Sequence, residues 1–171
     1  MMRPELQHWA DTVIGRTEHF SIGVIDPLWS QRYAAAIDDM NPLYFDDAYA
    51  RSHGYRGIVA PPNYLATLRG EQGFGPAEGE LLGDGMAPSA RPPLTNLIGM
   101  GGGQTLVFYA PAYCGERIIG ERTIVRVSEK EGRKGPLVII EDEFRYLTEP
   151  GELVLTLRNT LLCQWVEGGA S

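Results

Sequence analysis

Histidine and cysteine are scarce in this chain, positive charge is in deficit, and long apolar runs are missing. Among 171 residues there are three histidines and two cysteines. His8, His19 and His53 share no metal-ligand spacing, and neither do Cys114 and Cys163, so no metal site is expected. The two cysteines read as free thiols of a reducing cytoplasm in preference to a disulfide. Fifteen Lys and Arg against 22 Asp and Glu leave a net charge of −7. A nucleic-acid partner needs a basic face and is excluded, while a polyanionic small ligand could bind only at a local basic patch. The first fifteen residues, MMRPELQHWADTVIG, hold no long apolar run. No signal peptide or membrane span is expected, and the protein is expected to be cytoplasmic.

What is present fits one globular domain: 43% hydrophobic and 22% charged residues over a length that can bury a real core. The first half reads as helices and loops. Asp26-Pro27 is a helix start, with an N-cap acid before proline at the first helical position. Trp29, Tyr33 and Ile37 then recur on one helical face until Asn41-Pro42 breaks the helix. A second helix fits Asp46 to His53, and a third fits Pro61 to Arg69. Residues 71–97 form a Gly- and Pro-rich loop, of a length that is functional or disordered in a compact domain. The second half reads as long strands: 102–110; 117–130, with Thr123, Val125 and Val127 alternating against Arg122, Ile124 and Arg126; 137–147, with Val138, Ile140, Phe144 and Tyr146 on one face interrupted by Asp142; and a last strand with Leu153, Leu155, Leu157, Leu161 and Cys163 on one side. Helices followed by an antiparallel meander indicate α+β, one sheet wrapped on a helix.

The stretch DDMNPLYFDD, Asp38 to Asp47, carries the chemistry worth weighing. Asp39, Asn41, Pro42 and Tyr44 are turn residues that could merely end a helix. They could also hold a carboxylate in a bend beside a ligand. The run Ala36–Tyr44, with Ala50 beyond it, resembles the signature of MaoC-like, (R)-specific enoyl-CoA hydratases and dehydratases, which have the hotdog fold. That signature reads roughly Gly-Asp-x-Asn-Pro-aliphatic-His, then a small residue six positions on. Asp39, Asn41, Pro42, Leu43 and Ala50 match it. Gly54 to Pro62 resembles the entry to the hotdog helix in the FAS1-like, N-terminal MaoC subgroup, and Phe108–Pro111 with Gly115–Arg117 resembles a later step of that subgroup. The resemblance spans about residues 18–164, and a single hotdog domain over 1–171 is expected.

The resemblance implies an acyl-CoA or acyl-carrier thioester substrate, no cofactor, and a hotdog homo- or heterodimer. In this family an Asp and a His hold the water that adds to a 2-enoyl thioester, and a backbone N–H at the helix start stabilises the enolate oxygen. Two positions depart from that pattern. Tyr44 stands where the family has histidine, and a phenol near pKa ~10 is a poor base at neutral pH beside an imidazole near ~6.5. Pro61-Pro62 stand where active members have His-Gly, and proline has no N–H to offer. Both departures resemble the non-catalytic subunits of heteromeric dehydratases. The expected function is therefore an acyl-binding subunit that depends on a catalytic MaoC-like partner. The alternatives are a stand-alone hydratase using Asp39 and a non-enzymatic acyl-thioester-binding hotdog. Catalytic candidates are Asp39, Asn41 and Tyr44. Substrate-binding candidates are Pro61, Pro62, Asn63, Tyr64, Gly102, Gly103, Arg56 and Arg69. Lys130, Arg133 and Lys134 are either a solvated turn or a site for coenzyme A phosphates.

Overall fold

The computed structural model describes residues 2–68, 78–82, 85, 92, 94 and 96–165. Its elements are α1 (Pro4–Val13), β1 (Thr17–Val24), α2 (Pro27–Ala36), α3 (Asp47–Ser52), α4 (Tyr64–Thr67), β2 (Leu97–Phe108), β3 (Arg117–Gly132), β4 (Gly135–Thr148) and β5 (Leu153–Trp165). The five strands form one antiparallel sheet in the order β1-β3-β4-β5-β2.

Alternation builds the sheet. Val138, Ile140, Phe144 and Tyr146 of β4 and Leu155, Leu157, Leu161 and Cys163 of β5 are all buried, so side chains two apart cover one face. That face is covered in two halves. Tyr64, Leu65 and Ala66 of α4 pack with Ile118, Phe144, Tyr146, Leu155 and Leu157. Leu6 and Ala10 of α1 pack with Val127, Val138, Ile140, Leu161 and Cys163. This is the sheet-on-helix arrangement expected from the sequence.

Several local expectations shift. Leu153 is only half-buried while Val154 is buried, beside a register shift between Tyr146 and Leu147. The alternation of β3 breaks at a bulge between Ile124 and Arg126. Val125 is the extra residue and stands 42% exposed, while Val127 beyond it turns in. A bulge moves every later side chain to the other face, which a count by twos cannot foresee. On α2, Trp29 and Ile37 are 56% and 50% exposed, and Ser30 and Ala34 are fully buried. Only Tyr33 of the expected stripe turns towards the core, because the small face lets the helix approach closely. The third helix shrinks from Pro61–Arg69 to the single turn of α4, and β2 begins at Leu97, before the expected Gly102. Arg69 and most of the 71–97 loop lie outside the described residues. α1 and β1 were not expected. β1 carries Glu18 and His19 and reads as polar, yet the end of its Phe20 ring sits over Gly120, where an added Cβ would come 2.2 Å from it. Such a ring over a strand glycine restores the packing that the missing side chain forgoes. Among the described residues, no helix is long and apolar enough to cross a membrane.

Candidate functional site

The Asp38–Asp47 loop is shaped by its own backbone. Asp26 caps α2 by accepting from the Leu28 and Trp29 amides at 2.8 and 3.1 Å. The helix ends before Asn41-Pro42. Asp38 adopts a left-handed φ of 57°, its N–H donates to the Ala35 oxygen, and the Asp39 N–H donates to the Ala34 oxygen at 2.9 Å. That pair of bonds is a Schellman reversal, and Asp tolerates the left-handed position better than most residues. Asn41 then accepts from the Leu43 amide at 3.1 Å and starts a single 3-10 turn, Pro42–Tyr44. Its carboxamide therefore shapes the turn. Asp46 caps α3 through the Tyr49 amide at 3.0 Å.

Tyr44 is buried, 6% exposed, against Ala34 and Val59. Burial raises its phenol above the ordinary value of 10.0, and so does the nearby Asp39 carboxylate. At neutral pH the phenol is therefore protonated. Tyr44 also forms part of the wall of a cavity of about 410 Å³, together with Leu43, Tyr55, Val59–Pro62 and Leu65. Phe108–Ala112, Val154 and Leu155 close the opposite side. The wall includes Tyr44 but not Asp39. Neighbouring segments are tied into this wall by backbone bonds: the Val59 amide to the Leu43 oxygen at 3.1 Å, and the Ala60 amide to the Ala112 oxygen at 2.8 Å.

The remaining candidates fall in three places. Pro61 and Pro62 line the cavity. Asn63 caps α4 in position only, with no side-chain bond to the helix. Tyr64 points into the core against Tyr33, ring centroids 5.5 Å apart, and burial raises its phenol, with Asp26 and Cys114 adding to the shift. Arg56 is paired with Glu116 and stacked 4.1 Å over the Tyr113 ring, while Arg51 is paired with Asp47 at 2.6 Å. Gly102 and Gly103 line a separate polar cavity of about 360 Å³ with Gln104, Asp142 and Asn159. A Cβ on Gly102 would come 2.9 Å from Thr160, so close approach of β5 requires this glycine. Cys114 has its thiol pushed up by burial and is not poised as a nucleophile. Sequence reasoning did not assign Leu43, Ala112 and Val154 to the cavity wall; Leu43 is the aliphatic position of the signature, and no motif marks Ala112. Leu155 was already on the inward face of its strand.

The raised phenols predict alkaline sensitivity. A folded pKa above the unfolded value means that the unfolded chain loses its proton first. The stabilisation is therefore complete below the unfolded value of 10.0 and is lost as pH rises through the folded value. Tm is expected to fall above about pH 10. The Tyr44→Phe and Tyr64→Phe variants should show a shallower fall, read by thermal melts across that range. Parallel pH profiles would contradict the assignment.

The family profile of the FAS1-like, dehydratase domain region matches residues 30–157. A UPF0336 protein of Parafrankia sp. (strain EAN1pec) is 29% identical over 125 residues, covering 72% of this chain and 73% of that protein. The 3-oxo-4,17-pregnadiene-20-carboxyl-CoA hydratase alpha subunit of Mycobacterium tuberculosis (strain ATCC 25618 / H37Rv) is 45% identical over 51 residues, 29% of this chain and 16% of the subunit. Among solved structures, the ChsH1-ChsH2 complex from Mycobacterium tuberculosis superposes with a TM-score of 0.68 at 19% identity, covering 96% of this chain and 91% of that one. The (R)-hydratase from A. caviae involved in PHA biosynthesis gives 0.61 at 21% identity, covering 86% and 94%. At these identities the structural likeness establishes the fold. The chain belongs to the FAS1-like dehydratase-region family of MaoC-like hotdog proteins.

Proposed function

We propose that this chain is the acyl-binding, non-catalytic subunit of a MaoC-type enoyl-thioester hydratase or dehydratase, completed by a catalytic hotdog partner that supplies the Asp and His. The carrying observation is the Asp39–Tyr44 pair. Tyr44 stands where the family has histidine, and burial together with the Asp39 charge holds its phenol protonated. A neutral phenol with a raised pKa cannot accept a proton from water at neutral pH. Pro61 and Pro62 remove two amides from the wall where enolate charge would develop. Arg51 and Arg56 flank the cavity residue Tyr55 in sequence, and both are committed to carboxylates. The partner would then provide most of the contacts to an anionic thioester carrier. Two relatives point the same way: one is named as the alpha subunit of a CoA hydratase, and another comes from a two-component complex.

The test is hydration of a panel of trans-2-enoyl-CoA thioesters by the purified chain, and by the chain co-purified with a hotdog protein carrying the Asp and His loop. No turnover alone and turnover in the complex is expected. Robust turnover by the isolated chain would favour a stand-alone hydratase built on Asp39 and discard the subunit reading.

A further inference from the structure

The two walls of the acyl cavity meet along a very short seam. The Ala60 amide donates to the Ala112 oxygen at 2.8 Å and the Cys114 amide to the Ile58 oxygen at 3.0 Å, around an isolated antiparallel bridge between Val59 and Tyr113. Towards the cavity the seam cannot lengthen, because Pro61, Pro62 and Pro111 come next and none has an N–H to give. Two backbone bonds between extended segments are marginal on their own. The walls need a further tie at the other end of the seam.

That end carries Arg56 and Glu116. Continuing the antiparallel register from Val59 and Tyr113 sets these two residues opposite each other, and their side chains are paired. One carboxylate oxygen of Glu116 accepts from the guanidinium, and the other accepts from the Tyr113 amide at 2.9 Å. The guanidinium also lies 4.1 Å over the Tyr113 ring, so the three groups close a triangle. Glu116 is the fixed post of it. Its backbone oxygen accepts from the Ile25 amide at 2.8 Å, and the Gly115 amide donates to the Ile25 oxygen at 2.9 Å. Arg56, on the connection between α3 and α4, is the arm that reaches this post. Tyr113 in turn packs against the cluster of Ala34, Tyr44 and Val59. Tyr44 and Val59 are cavity wall, and so is Tyr55 beside Arg56.

We infer that Arg56 is a positioning residue of the cavity: through Glu116 and Tyr113 it clasps the wall of Tyr55 and Val59–Pro62 to the wall of Phe108–Ala112 and sets the width of the acyl mouth. An ordinary exposed ion pair contributes little. This one differs in geometry, because the carboxylate also holds a backbone amide and the guanidinium also stacks on a ring. Cutting the arm therefore releases the post, the ring and the short seam together. The sequence places Arg56 among the substrate-binding residues; the clasp assigns it to the walls instead of the ligand. The effect on binding rests on the acyl-binding reading above, whereas the clasp itself does not.

The experiment pairs amide hydrogen exchange at Ala60 and Cys114 with calorimetric titration of the full chain by decanoic acid. Arg56→Ala should speed exchange at both amides by about tenfold or more, leave the buried amides of β4 and β5 at wild-type rates, and weaken decanoic acid by about tenfold. Glu116→Gln keeps an acceptor for both donors and should stay within about threefold of wild type, while Glu116→Ala should match Arg56→Ala. The reversed pair, Arg56→Glu with Glu116→Arg, restores the attraction but gives the Tyr113 amide no acceptor and its ring no cation, so it should not recover either reading. Arg145→Ala, which cuts a comparable pair with Glu121 on the sheet, should change neither. Equal exchange in Arg56→Ala and wild type, or full recovery by the reversed pair, would overturn the clasp whatever binds. Faster exchange with unchanged decanoic acid affinity would overturn its role at the mouth. A wild-type chain blind to decanoic acid would sink the acyl reading of the cavity and the positioning role with it, and the exchange rates would tell that failure from a failed clasp.

Discussion

Tyr44→His combined with Pro62→Gly is expected to give the isolated chain hydration of a trans-2-enoyl thioester about 10²-fold or more above the wild-type chain, with either single change leaving it near background. Each substitution repairs a different deficit. An imidazole near pKa ~6.5 can accept a proton where the phenol cannot. It is also shorter than the phenol, which leaves room for a water on the side of Asp39. Pro62→Gly returns an N–H to the cavity wall, and one such donor is worth on the order of 10²–10³ in rate. Groups that act on the same transition state are not additive, which is why the singles are expected to stay flat. Asp39→Asn placed in the double variant should abolish the gain. The assay is loss of enoyl absorbance, checked against Tm for each variant. A folded double variant as inert as the wild type would show that the block lies elsewhere, and the reading of these two positions would fall.

Legibility differed by element, for physical reasons. β4 and β5 could be read because burial of one face forces a two-residue rhythm, and Val138 to Tyr146 keep it. α2 could be read at its start, where Asp26-Pro27 has one physical meaning, but not in its facing: Trp29 and Ile37 share a helical face, yet Ser30 and Ala34 are the buried ones. The choice of inward face depends on how closely the helix approaches the sheet, and that is a tertiary fact. β1 escaped because its inward residues, Phe20 and Ile22, alternate over too short a span between charged and small neighbours. The bulges at Gly102 and Val125 leave no local mark beyond glycine and a β-branched residue. At the site, Asp39, Tyr44, Pro61 and Pro62 were legible as a pattern, and the structure places Tyr44 and the two prolines in one wall. Arg56 illustrates the converse. A basic residue beside a loop looks free in sequence, but Glu116, sixty residues away, holds it.

Asp142→Ala is expected to destabilise the chain by about 3–5 kcal/mol, the range for removing one partner of a buried ion pair. Asp142 is 4% exposed in the middle of the apolar face of the sheet. It accepts from Arg122 at 2.9 Å and from Asn159 at 3.0 Å. The Arg122 side chain is only 15% exposed, and Glu18, paired with it at 3.8 Å, is 65% exposed and screened by water. Truncation would take one charged acceptor from the guanidinium and from the Asn159 amide, which costs more than the lost contact itself. Against a total stability of roughly 5–15 kcal/mol the change is large, and a urea titration reads it directly. The control removes both charges. Arg122→Met with Asp142→Leu should recover most of the loss, because a well-packed apolar pair replaces a buried ion pair at little or no cost. A loss under about 1 kcal/mol for Asp142→Ala would mean that water already reaches the pair. Recovery by the apolar pair would show that the ion pair contributes little to the stability of the chain beyond what packing at the same place supplies.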